Sequence, residues 1–310
     1  MMRRISLWLG LVLAAAAGIA AAKVDSSRQN LKSPPGRLIL AYKGFNEFLN
    51  SERTLNDYQR LVVEPYPVMK RLHSMFAEWG QWDPNNFSKL ISDIPEQKVR
   101  TLLENVKEKA LIALYDSVAS TAGTVLPPKT PIDVCFYFTF FGDCQAFTES
   151  GTETVAISLK YPMDLMPSIL THEYAHCLHK QRQPPENPSL GRSVVSEGIA
   201  CYFLKIVSNR ATAYDALWMM PKKAVDWCAA HEDTIKAVMS AEWNGDNAQA
   251  QKRFINGGYL ASPPSGIPEK TGYYVGYRII DACLKKGMTL EELCGQGSQA
   301  VIDGSGFFAK

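Results

Sequence analysis

Residues 132–180 read IDVCFYFTFFGDCQAFTESGTETVAISLKYPMDLMPSILTHEYAHCLHK, and this stretch decides the architecture. Its opening, Ile132 to Phe141, is dense in aromatic and branched residues and too short for a helix, which predicts a buried strand. Gly142-Asp143 marks a turn, and Thr152 to Leu159 alternates as a second strand does. After Pro162 the pattern turns helical as far as about Lys180. Pro167 is acceptable in the first turn, where its missing N–H has no partner to lose. Two strands feeding a helix predict an α+β fold.

Working outward, Pro184-Pro185 open a polar loop, QPPENPSLG, and Ser193 to Val207 reads as the next helix. More helices are expected from Tyr214 to Trp243. A proline-rich loop follows over Pro263–Lys270, then a helix over Gly272–Lys285. Thr289 and Glu292 make a capping box for the last helix, which stops at Gly295. Upstream, residues 38–80 read as helix interrupted at Pro65 and Pro67. A further helix starts near Asp93–Glu96 and ends at Gly123. The fold is therefore expected to be mostly helical around a small sheet. Its expected segments are a helical N-terminal part over 37–128 and a second domain over 129–310.

The chain has 310 residues, 46% hydrophobic and 21% charged, which excludes a disordered or fibrous protein. The net charge of +2 comes from Arg3 and Arg4, and beyond residue 22 the charges balance. Without a basic run there is no electrostatic footprint for nucleic acid or for an anionic membrane surface. Met1–Ala22 reads as a secretory signal peptide. Arg3-Arg4 precede an apolar run, and Ala20-Ala21-Ala22 offer a cleavage site before Lys23. Residues 23–36 read as a mobile leader. No later segment approaches 18 uncharged apolar residues, so no membrane contact is expected beyond the export signal. Export to the periplasm or medium would expose the seven cysteines to oxidant. Cys135 with Cys144, and Cys283 with Cys294, could pair across short loops. Buried free thiols are the competing reading.

His172-Glu173-Tyr174-Ala175-His176 is an HExxH sequence on the expected helix. Positions i and i+4 share a helix face, so two imidazoles can converge on one ion. Glu173 is then placed to reach a water rather than the ion. Zinc needs a third protein ligand and an open position. Glu197 is the candidate, because it sits among Val194, Val195, Ile199 and Ala200, where an unpaired carboxylate is costly. Glu186, in the polar loop, reads as a solvated charge. His179 lies about 10.5 Å along the axis from His172 and cannot share the ion. His73 and His231 read as ordinary surface histidines.

HEYAH followed by a glutamate on the next helix resembles the gluzincin metallopeptidases, the group of thermolysin and certain aminopeptidases. More narrowly, Thr154–Leu159, His172–His176, Glu197–Ala200 and Gly272–Tyr277 resemble a bacterial family of predicted zinc-dependent proteases. The resemblance covers roughly residues 130–295. It implies a zincin-like fold, with a small sheet packed on an active-site helix and a helical C-terminal half. Two departures stand out. Cys201 occupies the position where thermolysin-like enzymes carry an aspartate that orients the first histidine, and the exopeptidase G-x-M-E-N motif is absent.

Tyr273 and Tyr277 lie one turn apart on one face, and a phenol can stabilise an oxyanion. Tyr277 is the expected donor, with aromatic packing and a snorkelling Arg278 as the plainer reading. Gly276 would let this helix approach a neighbour closely. The sequence therefore points to an exported zinc-dependent peptidase. One Zn²⁺ is expected on His172, His176 and Glu197, and Glu173 and Tyr277 are the expected catalytic groups. A peptide or protein is the expected substrate, with Thr152–Leu159 as the sheet edge that pairs with it. The alternative is a non-catalytic zinc-binding module used for partner binding, with Cys201 filling the open position.

Overall fold

Strand β1 (Leu38–Leu40) is held beside β2 (Ile132–Tyr137) by the only charge in β2. The Asp133 carboxylate is buried and accepts from the Arg37 backbone N–H at 2.7 Å and from its guanidinium at 3.0 and 2.7 Å. A buried carboxylate is tolerable only with such partners. The computed structural model describes residues 36–309, except 93, 140, 209–211, 241, 244–247, 257–263 and 265. The expected signal peptide over 1–22, all but the last residue of the expected leader, and the expected helix start at Asp93 lie outside the described residues.

With β3 (Gln145–Glu149) and β4 (Thr152–Ser158), these strands form a four-stranded sheet among the described residues, in the order β1-β2-β4-β3. The β1–β2 and β2–β4 pairs are parallel and β3–β4 is antiparallel. Every residue of β2 is buried, which means that both faces of the strand are covered. One sequence expectation is corrected here. The segment around Thr152–Leu159 is not an edge, because β4 lies between β2 and β3. The edge beside it is β3. Ser150 and Gly151 both have positive φ, at 49° and 80°, and Glu149 pairs with Thr152. This is a two-residue hairpin turn, and it folds β3 onto the outer side of β4.

The N-terminal part begins with β1 rather than helix. It continues with α1 (Tyr42–Leu49), α2 (Pro67–Glu78, with Pro67 in its first turn), α3 (Glu96–Glu104) and α4 (Glu108–Val125). The single helix expected up to Gly123 is thus two, broken at residues 105–107. Two further helices, α5 (Met166–Lys180) and α6 (Leu190–Val207), follow the sheet. α5 packs against β3, β4, α4 and α6. Beyond lie α7 (Lys222–Ala230), α8 (Glu232–Ser240), α9 (Thr271–Lys285), α10 (Leu290–Cys294) and α11 (Ser298–Ser305). The expected capping box of Thr289 and Glu292 is present at α10.

α11 was not anticipated, and it explains Glu186. The Glu186 carboxylate accepts from the Ser298 N–H at 2.7 Å and its hydroxyl at 2.6 Å. The residue read as a solvated loop charge is therefore the cap of a helix 112 positions away. All seven cysteines are buried free thiols, so neither short-loop disulfide forms. His73 is not at the surface. It is buried, with Nε2 at 2.9 Å from the Tyr58 hydroxyl and Nδ1 at 2.7 Å from the Met69 carbonyl.

α6 and α9 make the most extensive helix–helix contact among the described residues, and they cross where neither has a side chain. A Cβ added to Gly198 would lie 2.3 Å from the Gly276 carbonyl oxygen. One added to Gly276 would lie 2.1 Å from the Val194 carbonyl oxygen. Backbone meets backbone on both sides of the crossing, so nothing there can yield.

Gly198→Ala should therefore cost about 1–3 kcal/mol, as overpacked cores do, and lower the melting temperature by several degrees. Gly304→Ala is the control, since its Cβ would meet nothing within 4 Å and alanine favours a helix. Equal shifts in the two variants would show that the crossing is not tight. Burial lowers the pKa of His73 from 6.5 to about 4, opposed by its bond to the Met69 carbonyl. The unfolded chain thus takes up a proton over this window that the native chain refuses. Stability should fall as pH drops from about 6.5 to 4, by up to about 1.4 kcal/mol per unit from this group. His73→Phe should flatten that slope in pH-dependent denaturant unfolding, and an unchanged slope would contradict the assignment.

Candidate metal centre

α5 brings His172 and His176 to one face, one turn apart, as their spacing requires. Glu197 reaches them from α6, where it immediately precedes the glycine of the crossing. His172 Nε2 lies 3.0 Å from Glu197 Oε2 and 3.2 Å from His176 Nε2, and His176 Nε2 lies 3.4 Å from the same carboxylate oxygen. Four ligands around zinc at 2.0–2.1 Å stand about 3.3 Å from one another in a tetrahedron. The three sides of this triangle match that spacing. Among the described residues this is the only cluster of histidine, cysteine, aspartate or glutamate with such convergence. His179 is buried and takes no part in it.

The donor set, two imidazole nitrogens and a carboxylate, suits zinc and leaves a fourth position. Side-chain exposure is 2% at His172, 14% at Glu197 and 18% at His176, so the group is approached from the His176 and Glu197 side. Burial alone would raise Glu197, but His176 and His172 hold it well below the usual carboxylate range. Burial alone would lower His176, but Glu197 and Glu173 overcome it and raise the pKa to about 9. The two shifts are two sides of one interaction, in which the carboxylate and the imidazole each stabilise the other's charge.

Glu173 feels the charges of His176, His172, Glu197 and Asp143. Burial raises its proton affinity, against the pull of His176 and His172 and with a further push from Glu197 and Asp143. Asp143 is fixed, accepting from the Tyr161 hydroxyl at 2.5 Å and the Cys144 N–H at 2.8 Å. A carboxylate that favours its proton more than usual suits a general base.

The groups around the ligands were only partly visible in the sequence. His176 Nδ1 lies 3.1 Å from Ser196 Oγ, so the residue next to Glu197 orients that imidazole. His172 Nδ1 is buried with no hydrogen-bond partner, in keeping with the absence of the thermolysin-type aspartate. Cys201, at that position, is buried, and burial followed by the nearby Glu197 keeps its thiol protonated. It is not among the converging ligand atoms.

Of the two tyrosines one turn apart, Tyr277 has its hydrogen bond and ring contact with groups outside the triangle. The Tyr277 hydroxyl accepts from Lys205 Nζ at 2.9 Å, and its ring stacks on Tyr202 at 5.5 Å. Tyr273 is the residue beside the triangle. Its ring stacks on His172 at 6.0 Å, and its hydroxyl is directed at Glu197. Burial, then the charge of Glu197, raise that phenol well above its ordinary range, so it stays protonated. Arg278 faces elsewhere, paired with Glu232.

No curated protein and no solved structure is detectably similar to the chain. The family described as predicted Zn-dependent protease (DUF2268) matches residues 142–303, from the turn before β3 through most of α11. That match covers just over half of the chain, including all three converging ligands, Glu173 and Tyr273. The chain belongs to this family of predicted Zn-dependent proteases.

Proposed function

We propose that the chain is an exported peptidase that works through one Zn²⁺ held by His172, His176 and Glu197. The observation that carries this reading is the convergence of those three donors, with Glu173 one residue along the same helix. When bound, the ion lowers the pKa of water toward ~7 and polarises a peptide carbonyl. Glu173 takes a proton from water at its carboxylate and passes it to the leaving amine nitrogen. Tyr273 donates a hydrogen bond to the carbonyl oxygen as charge develops on it, the role the sequence reading gave to Tyr277. Ser196 holds the ring of His176. The outer edge of β3 takes over from β4 as the strand that pairs with an extended peptide.

A helix-borne His-His-Glu site beside a small mixed sheet supports a zincin-like arrangement. The charge and apolar pattern of Met1–Ala22 supports export, and no helix among the described residues is long and apolar enough to cross a membrane. The rival non-catalytic module needs a fourth protein ligand to close the site. Cys201, the residue offered for that place, lies outside the converging group.

Glu173→Gln should retain zinc after dialysis and lose cleavage of an unfolded protein substrate. Glu197→Ala should lose the zinc itself, while Glu186→Ala should keep zinc and lower only the melting temperature, because it uncaps α11. Metal analysis of all three beside the activity assay decides the matter. Zinc loss in Glu173→Gln, or cleavage by it at the wild-type rate, would remove the general-base role.

Tyr273→Phe should lower kcat by about 10²-fold with KM and zinc content nearly unchanged, since the lost bond belongs to the transition state. Tyr277→Phe should leave kcat close to wild type and change stability slightly. The reverse pattern would return the role to Tyr277.

A further inference from the structure

Lys270 immediately precedes α9 and holds a left-handed backbone, with φ 61° and ψ 21°. A side chain costs about 1–2 kcal/mol in that region, where glycine costs little. The ammonium rests 5.7 Å from the centre of the Tyr273 ring. Its other contact is the Met219 thioether sulfur at 3.8 Å, a weak acceptor. Other partly buried cations nearby have a stronger acceptor. Arg278 meets Glu232, Arg253 meets Glu242, and Lys205 donates to the Tyr277 hydroxyl. Lys270 is half-buried too, yet among the described residues it has no carboxylate partner.

Its position gives that unpaired charge a use. The ring beneath it stacks in turn on His172 at 6.0 Å. The two steps put the ammonium at most about 12 Å from the His172 ring, a span that an extended peptide covers in three to four residues. Around the metal triangle the chain supplies two carboxylates, Glu173 and Glu197, whose charge a divalent ion would balance. Lys270 is then a positive charge close to the triangle that, among the described residues, has no carboxylate partner.

We propose that Lys270 is a specificity residue that receives a carboxylate of the substrate within about three residues of the cleaved bond. The proposal rests on the peptidase reading above. A peptide can supply such a group from its chain terminus or from an aspartate or glutamate side chain. A charge-assisted hydrogen bond of this kind accounts for about a tenfold preference or more.

The test uses three short acetylated peptides of one neutral sequence. One ends in a free carboxylate, one in an amide, and one in an amide with glutamates placed along the chain. Zinc-loaded wild type, Lys270→Met and Lys270→Arg are compared by kcat/KM. Binding of the same peptides to the Glu173→Gln protein, with and without Lys270→Met, is read by fluorescence anisotropy. Wild type should prefer a carboxylate-bearing peptide over the neutral amide by about tenfold or more. Lys270→Met should collapse that ratio towards one, and Lys270→Arg should keep most of it. The peptide that carries the preference identifies the source of the carboxylate. Cleavage without a preference, or a preference that survives in Lys270→Met, overturns the role of Lys270 and leaves the peptidase reading standing. If no peptide is cleaved but carboxylate binding depends on Lys270, the peptidase reading fails and carboxylate recognition stands. If there is neither cleavage nor preferential binding, both fall.

Discussion

The site depends on two helix backbones touching. α6 and α9 meet at Gly198 and Gly276, where a methyl group on either would sit within about 2.3 Å of the other helix's carbonyl. Glu197 immediately precedes one glycine, and Tyr273 lies one turn before the other. Their approach brings a carboxylate from one helix and a phenol from the other to the imidazoles of α5. Widening the crossing by the size of one methyl group would move both by a distance comparable to a metal–ligand bond. The strictness of the packing is thus also the precision of the site, since a tetrahedral ligand set tolerates little displacement.

Elsewhere among the described residues, several charges are met by a counterpart. Asp133 is met by Arg37, Glu186 by the start of α11, and Arg278 by Glu232. The ligand triangle is different in kind. Glu197 is held ionised by the histidines and His176 is drawn towards its charged form by Glu197. Glu173 is pushed the other way, towards its proton. One buried patch thus contains two carboxylates with opposite tendencies.

Much of this was legible in the chain because it is local. The spacing of His172 and His176 set them on one helix face, and the apolar neighbours of Glu197 marked it as a carboxylate in need of a partner. The capping box at Thr289, the strand from Ile132 and the small residue at Gly276 were readable for the same reason. The hairpin between β3 and β4 is local too, but its signal, Ser150-Gly151 between short polar-apolar strands, is weak.

What the sequence by itself determined was periodicity: which residues share a helix face, where chains turn, and which charge lies among apolar neighbours. Only the tertiary structure decided which face meets which partner. Tyr273 and Tyr277 are equivalent by spacing, and the choice between them is made by where α6 crosses α9. β4 reads as an edge until β3 folds over it, and Glu186 reads as solvated until α11 arrives from 112 residues away. His73 reads as a surface group until Tyr58, Trp82 and Phe141 close over it. Each of these depends on contacts between segments far apart in sequence, and no pattern of a few residues encodes a distance that the packing of a whole domain must set.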